Sequence, residues 1–76
     1  MNPQYQTLDT RGLQCPLPLL KAKRAISQLE SGEQLMVLAT DPSSQRDFKA
    51  WTDIAKHQLL SMQQVDDEYH YLLAKA

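Results

Sequence analysis

Residues 8–20 of the chain read LDTRGLQCPLPLL, and this stretch joins a predicted strand to a predicted helix. Residues 5–9 form the strand, with Leu8 directed to the core, because the residues alternate loosely before the turn signal Thr10-Arg11-Gly12. The helix is predicted to begin at Pro16, because proline is favoured at the first helical position, where its missing N–H would be unpaired anyway. A strand followed at once by a helix predicts the first half of a βαβ unit.

The first helix and the strand after it are predicted from apolar spacing. Apolar residues at i, i+3, i+7 and i+10 indicate one buried helix face, and Ser31-Gly32 supplies the stop; these residues are Leu19, Ala22, Ile26 and Leu29. Residues 35–39 form a continuous apolar run that ends at Asp41-Pro42, as expected for a central strand covered over much of its surface. The parallel crossover between the two strands is predicted to be right-handed.

The rest of the chain predicts a second helix and a closing hairpin. The helix starts at about Ser44, where Ser44 and Asp47 fit a capping box, and carries one apolar stripe with Ile54 beside it; the stripe is Phe48, Trp51, Ala55 and Leu59. Residues 60–65 and 69–74 alternate on either side of 66–68, which predicts a hairpin.

The predicted order is therefore βαβαββ in a single domain over residues 1–76. We expect the α+β class: a two-layer α/β sandwich with a mixed four-stranded sheet and two helices on one face. Parallel strands end, and the helices that follow them begin, at one edge of the sheet. The turns at 11–16 and 40–47 should meet at that edge, which is the candidate site.

Composition excludes several classes of function. The chain has 76 residues, of which 42% are hydrophobic and 22% charged, as in one small globular domain. Eight Lys and Arg against nine Asp and Glu give a net charge of −1, which argues against a surface that grips nucleic acid phosphates. The longest apolar run, 35–39, is too short for a bilayer, and residues 1–10 are polar without a signal pattern. We therefore expect no membrane association and a cytoplasmic location.

Cys15 is the single cysteine, so no internal disulfide is possible. It precedes Pro16 directly and is predicted to be the N-cap of the first helix. The partial positive charge of a helix N-terminus favours the thiolate and lowers a cysteine pKa, although Pro16 and Pro18 remove donors and weaken this effect. An isolated cysteine is commonly a small buried hydrophobe. A polar turn fixed by two prolines suits packing poorly, so Cys15 is predicted to be reactive.

Three bases on the first helix form a second candidate feature. Lys21, Lys23 and Arg24 are placed in the first half of the predicted helix and Glu30 at its end, opposite to the preference of the helix macrodipole. We expect these bases either to raise the potential near Cys15 or to dock an acidic partner.

The other candidate residues have structural explanations. Gly12 is predicted to adopt a positive φ in the turn. His57 and His70 are predicted to be structural or exposed, because two histidines and one cysteine show no zinc-site spacing. No metal or cofactor is expected. Phe48 and Trp51 are predicted to be core residues.

Cys15-Pro16-Leu17-Pro18 and the residues before it resemble the TusA/SirA family of small sulfur-carrier proteins. The similarity runs nearly end to end and includes Gly32-Glu33, Asp41 to Asp47 (DPSSQRD) and residues 69–73 (YHYLL). It implies the same βαβαββ fold and sulfur carried on Cys15 as a persulfide. It also implies a cysteine desulfurase or other sulfur donor, and a downstream sulfur-relay protein as acceptor.

The resemblance leaves the pathway open. Family branches serve tRNA thiolation, sulfur oxidation, thiosulfate use or molybdenum-cofactor chemistry, and this chain has Trp51-Thr52 where some members carry a second cysteine. Asp41, Arg46 and Asp47 are candidates to orient the incoming persulfide donor. Their alternative role is local, with the aspartates as caps and Arg46 paired to one of them.

Two other classes of function stay open at the level of sequence. One is a redox-active single-thiol protein, for which a partner must supply the resolving thiol. The other is a small RNA- or protein-interaction module, against which the net charge argues. We expect a monomer.

Overall fold

The computed structural model describes residues 5–76 and has the predicted order of elements. Two α-helices lie between the first three of four β-strands, which confirms the βαβαββ arrangement; the elements are β1 (Tyr5–Thr10), α1 (Leu17–Ser27), β2 (Gln34–Ala39), α2 (Ser44–Ala55), β3 (Gln58–Val65) and β4 (Glu68–Ala74). No helix within this described range is long and apolar enough to cross a bilayer.

The four strands form one mixed sheet in the order β1-β2-β4-β3. β1 pairs with β2 in parallel, and β4 runs antiparallel to both β2 and β3. The apolar run of β2 lies at the centre of the sheet, as predicted. Because β1 and β2 are parallel, their carboxyl ends lie at the same edge, and the loops before α1 and α2 leave the sheet there.

The hydrophobic core lies between this sheet and the two helices. The sheet contributes alternate residues of β2 and β4, the helices contribute their inward faces, and Leu8 and Leu19 pack at the margin; the buried cluster is Ala22, Ile26, Leu29, Leu35, Val37, Ala39, Phe48, Trp51, Tyr69, Tyr71 and Leu73. The rings of Phe48 and Tyr71 stack with their centroids 4.6 Å apart. Both helices therefore pack on one face, and Phe48 and Trp51 are core residues as predicted.

Helix α1 is shorter at both ends than the sequence predicts. It begins at Leu17, with Pro16 rather than Cys15 as the N-cap residue. It ends at Ser27, because the N–H groups of Gln28 and Leu29 donate to carbonyls three residues earlier and tighten the last turn. Leu29 is still buried, but in the loop that leads to β2.

Helix α2 also differs from its prediction. It ends at Ala55 because Lys56 adopts the left-handed conformation with φ 66°, so Leu59 lies in β3 rather than on the helix stripe. Ile54 is 80% exposed. The predicted capping box is wrong: the N-cap is Ser43, and neither it nor Ser44 makes a side-chain cap bond.

The closing hairpin is longer than predicted. β3 starts at Gln58 and has a register irregularity between Leu59 and Ser61. Glu68 belongs to β4, so the connecting turn contains only Asp66 and Asp67.

Candidate functional site

The two loops at the carboxyl edge of β1 and β2 meet, as the parallel pairing requires. The Gly12 N–H donates to the Thr40 hydroxyl over 2.9 Å, and the Cys15 N–H donates to Asp41 Oδ2 over 2.5 Å. Gly12 has the predicted positive φ, 83°. Backbone N–H groups of the loop after β1 therefore bind side chains of the loop after β2, and these hydrogen bonds fix the position of Cys15.

Asp41 organises the second loop. Its Oδ1 accepts the Ser43 N–H over 3.1 Å, and its Oδ2 accepts the Ser43 hydroxyl over 3.0 Å. The Ser43 N–H is the largest cause that lowers the pKa of Asp41, and the Cys15 N–H adds to it. Asp41 is thus an ionised carboxylate that joins the Cys15 loop to the start of α2.

The Cys15 side chain is exposed and contacts α2. Its Sγ donates to Asp47 Oδ2 over 3.1 Å. This hydrogen bond is the largest cause that raises the pKa of Cys15. The Ser43 side chain, which favours the thiolate, lowers the pKa, while desolvation and the charges of Asp47 and Asp41 raise it further. The net shift is upward, so the lowering that the sequence predicts from the helix N-terminus, weakened by the two prolines, does not dominate. A neighbouring carboxylate outweighs a helix end that begins only at Leu17 and contains Pro18.

A buried contact beneath the site fixes the first turn of α2. The hydroxyl groups of Ser44 and Tyr71 lie 2.5 Å apart, and both residues are buried. Burial is the largest cause that raises the pKa of Tyr71, with the Ser44 hydrogen bond opposing it. Because Ser44 begins the turn that contains Asp47, this contact holds the carboxylate beside Cys15.

Two spaces flank the Cys15 sulfur. One, which we call the helical recess, is bounded by Pro18, Ser44, Asp47 and Phe48 and has no room for a water molecule. The other, which we call the loop cleft, is an open space of about 460 Å³ between residues 12–15 and 40–43. Cys15 lines both, so its sulfur has one closed side and one open side.

The remaining predicted residues of this edge are Pro16 and Pro18, which lie beside Cys15, and Arg46. Pro16 is exposed and joined to Cys15 by a cis peptide bond, while Pro18 is buried in the first turn of α1. Arg46 is exposed, and within residues 5–76 it makes no ion pair or side-chain hydrogen bond. The alternative role of Arg46, a local pair with one of the aspartates, is therefore not seen among the described residues.

The three bases of α1 lie on its exposed surface. Lys21 and Arg24 line a groove with Leu17 and Leu20, which are 46% and 52% exposed. The predicted conflict with the macrodipole is wrong for Arg24, which lies in the last turn, and for Glu30, which lies beyond the helix. No lysine or arginine is among the causes that shift the pKa of Cys15, so the proposed effect of these bases on the thiol stays a prediction.

Both histidines have local partners. His57 Nδ1 accepts the Ala76 N–H over 2.9 Å, and His70 lies 3.1 Å from Glu68. In the part of the chain that is described, no three His, Cys, Asp or Glu side chains are grouped as metal ligands would be.

The fold and site define a class before any comparison: a βαβαββ sandwich that presents one exposed thiol at the carboxyl edge of its parallel strands. A family model described as "Sulfurtransferase TusA" matches residues 6–75. The chain therefore belongs to the TusA family, which confirms the resemblance seen in the sequence.

Individual relatives agree with this membership. The sulfur carrier protein TusA of Allochromatium vinosum is 39% identical over 71 residues, which cover 93% of each chain. A putative sulfur carrier protein of Neisseria meningitidis is 46% identical over 61 residues, covering 80% of this chain and 82% of that protein. The crystal structure of a SirA-like protein from Desulfitobacterium hafniense superposes with a TM-score of 0.80 at 24% identity, covering 90% of this chain and 93% of that one. This last likeness confirms the fold.

Sequence reasoning missed Ser43, Thr40 and the Ser44–Tyr71 pair. The signal for Ser43 was present, because a serine two residues after an aspartate at a strand end is typical of an Asx turn. The Ser44–Tyr71 contact joins residues 27 apart and had no local signal.

Proposed function

We propose that this protein is a sulfur carrier that accepts a sulfane sulfur as a persulfide on Cys15 and passes it to another protein. The observation that carries the proposal is one exposed thiol, held at a sheet edge by residues of the second loop and of α2. The family membership and the names of its sulfur-carrier relatives support it. With no second thiol in the chain, sulfur must arrive from and leave to other molecules.

Loading follows the logic of thiol–disulfide exchange. The Cys15 sulfur attacks the outer sulfur of a donor persulfide R–S–S⁻. A new S–S bond forms on Cys15, the S–S bond of the donor breaks, and R–S⁻ leaves. The thiol proton of Cys15 is transferred to the departing thiolate, so the products are the Cys15 persulfide anion and R–SH. Asp47 accepts the hydrogen bond of that proton in the unloaded protein and is the base placed beside it.

The sulfur donor in this proposal is a cysteine desulfurase or another persulfide-forming protein, and the acceptor is a downstream sulfur-relay protein. Asp41 and Asp47 orient the reacting sulfur, and Arg46 contacts the partner from the exposed start of α2. Lys21, Lys23 and Arg24, beside the exposed Leu17 and Leu20, dock an acidic partner surface. Thiolation of a tRNA uridine is one destination for the sulfur. A free thiol persists in reducing compartments, which favours the cytoplasm.

The redox alternative has less support from the site. Peroxide-reactive cysteines are stabilised as thiolates, whereas Asp47 raises the pKa of Cys15. Attack on a persulfide after docking does not require a preformed thiolate, because a partner can change the surroundings of the thiol.

Intact-mass measurement tests the carrier function. The purified protein is incubated with a cysteine desulfurase and cysteine, and its mass is recorded with and without reductant. We expect the gain of one reducible sulfur atom in the native protein and none in Cys15→Ser. No gain with a desulfurase, thiosulfate or a small persulfide would refute the carrier role.

A further inference from the structure

The two spaces around Cys15 Sγ differ in size and in polarity. The helical recess ends on Phe48 and on the Asp47 carboxylate, and it is too small for a water molecule. The loop cleft is open and includes the side chains of Ser43 and Thr40. A sulfur atom is larger than a water molecule, so a second sulfur bonded to Cys15 does not fit in the recess, whereas the cleft has room for it.

From this geometry, and resting on the proposed function, we propose that the loop cleft is the binding site for the outer sulfur of the Cys15 persulfide. In this arrangement the Ser43 hydroxyl donates a hydrogen bond to the persulfide, and Asp47 is a positioning residue that keeps the charged sulfur out of the helical recess.

The charge of the loaded group favours the same side as its size. The unloaded thiol has a proton and donates it to Asp47 Oδ2 over 3.1 Å. A hydropersulfide is a stronger acid than a thiol, so the loaded group is an anion with no proton to donate. Its contact with Asp47 therefore becomes repulsive. Asp47 lines only the helical recess, whereas Asp41 lines both spaces, so the anion meets two carboxylates in the recess and one in the cleft. Among residues 5–76 no lysine or arginine lines either space to compensate the repulsion.

Ser43 is free to change its acceptor. Its hydroxyl donates to Asp41 Oδ2 in the unloaded protein, over 3.0 Å. Asp41 keeps two backbone donors, the N–H groups of Cys15 and Ser43, when that hydroxyl turns away. The Ser43 side chain makes no helix-cap bond that the turn would break. Rotation toward the persulfide thus gives the anion a donor and leaves Asp41 satisfied.

The cleft assignment predicts that Asp47 and Ser43 have opposite effects on the equilibrium that loads Cys15 with sulfur. With glutathione persulfide as the donor, loading is Cys15–SH + GS–S⁻ ⇌ Cys15–S–S⁻ + GSH, in which sulfur, protons and charge balance. Asp47 stabilises the left side through the thiol hydrogen bond and disfavours the anion on the right. Ser43 stabilises the right side. Asp47→Asn should therefore increase the loaded fraction, and Ser43→Ala should decrease it.

The experiment measures this equilibrium by intact mass in mixtures of glutathione persulfide and glutathione. An exposed charge interaction and a hydrogen bond to an exposed anion each change an equilibrium by roughly three- to tenfold. We expect a rise of that size for Asp47→Asn and a fall of that size for Ser43→Ala. Matched controls are Asp53→Asn, on the exposed side of α2, and Ser27→Ala, at the end of α1; both should match the native protein.

The possible outcomes are distinct. Equal loading of the native protein, Asp47→Asn and Ser43→Ala would overturn the cleft assignment and leave the carrier function intact. A change of the same sign in both variants would also overturn it, because a purely structural disturbance acts in one direction. Failure of the native protein to gain sulfur would overturn the carrier function and the cleft assignment together. Circular dichroism of each variant checks that it is folded, and Asp47→Glu, which keeps the charge, should restore native loading.

Discussion

The hydrogen bond between Ser44 and Tyr71 is predicted to stabilise both the core and the site above it. Tyr71→Phe keeps the ring that stacks on Phe48 and removes only the hydroxyl. The Ser44 hydroxyl, which is 2% exposed, then loses its partner in a buried position. A hydrogen bond contributes about 1 kcal/mol net, and an unsatisfied buried group costs about 1–3 kcal/mol. We expect Tyr71→Phe to lower the free energy of unfolding by about 1–2 kcal/mol.

Urea unfolding followed by the fluorescence of Trp51, the single tryptophan, measures this loss. For a domain of this size, 1 kcal/mol corresponds to a fall in Tm of roughly 4–8 °C. Ser44→Ala should cost a similar amount, because it leaves the Tyr71 hydroxyl unpaired. The double variant should be clearly more stable than the sum of the two losses predicts, since no polar group is then left without a partner. Unchanged stability in both single variants, or strict additivity in the double, would refute the reasoning.

The pH dependence of the free energy of unfolding distinguishes the contribution of the Tyr71 hydroxyl from that of its ring. Burial raises the pKa of Tyr71 above its ordinary value of 10.0. The unfolded chain therefore loses this proton first as the pH rises. The contribution of Tyr71 to stability is fully present below about pH 10 and is lost above it. Tyr71→Phe should lose less stability than the native protein between about pH 9 and pH 11.

Three further predictions concern the edge of the sheet. Asp47→Asn removes the main cause that raises the pKa of Cys15, so iodoacetamide should alkylate the unloaded thiol faster at neutral pH, and the midpoint of the rate profile should move to lower pH; an unchanged midpoint would contradict the assignment. Arg11 holds the pKa of Asp9 at about 2. The ionised Asp9 therefore stabilises the fold above the ordinary aspartate pKa, and this stabilisation is lost as the pH falls toward 2. Arg11→Gln should weaken the dependence of the urea midpoint on pH between about 4.5 and 2. Gly12→Ala meets no atom within 4 Å but keeps a φ of 83°, so it should destabilise by about 1 kcal/mol through backbone strain alone, measured by thermal unfolding.

The fold was predictable because the spacing of apolar residues and the positions of the turn residues agreed along the chain. The apolar run of β2 predicted a central strand, and parallel pairing with β1 predicted that Cys15 and Asp41 would meet. Helix ends were less predictable. Lys56 ends α2 in a left-handed conformation that glycine usually marks, and Leu59 continued the apolar spacing across it into β3.

The pKa of the thiol was not predictable from the position of Cys15 at a helix start. Sequence reasoning placed a helix N-terminus at Cys15, which favours a low pKa. The dominant group is the Asp47 carboxylate, 3.1 Å from the sulfur and 32 residues away in the chain. Side-chain direction at that range depends on packing, here on Ser44 turned inward to Tyr71, and spacing alone does not specify it.

The separation in sequence between Cys15 and its two aspartates has a consequence for the life of the protein. An unfolded or newly made chain has neither carboxylate beside the sulfur, so its cysteine titrates as an ordinary thiol and is more ionised than in the native state. Oxidants and electrophiles therefore attack damaged or nascent copies more readily than idle folded ones. Folding thus makes the exposed thiol less reactive toward electrophiles by bringing distant carboxylates to it, and not by burying it.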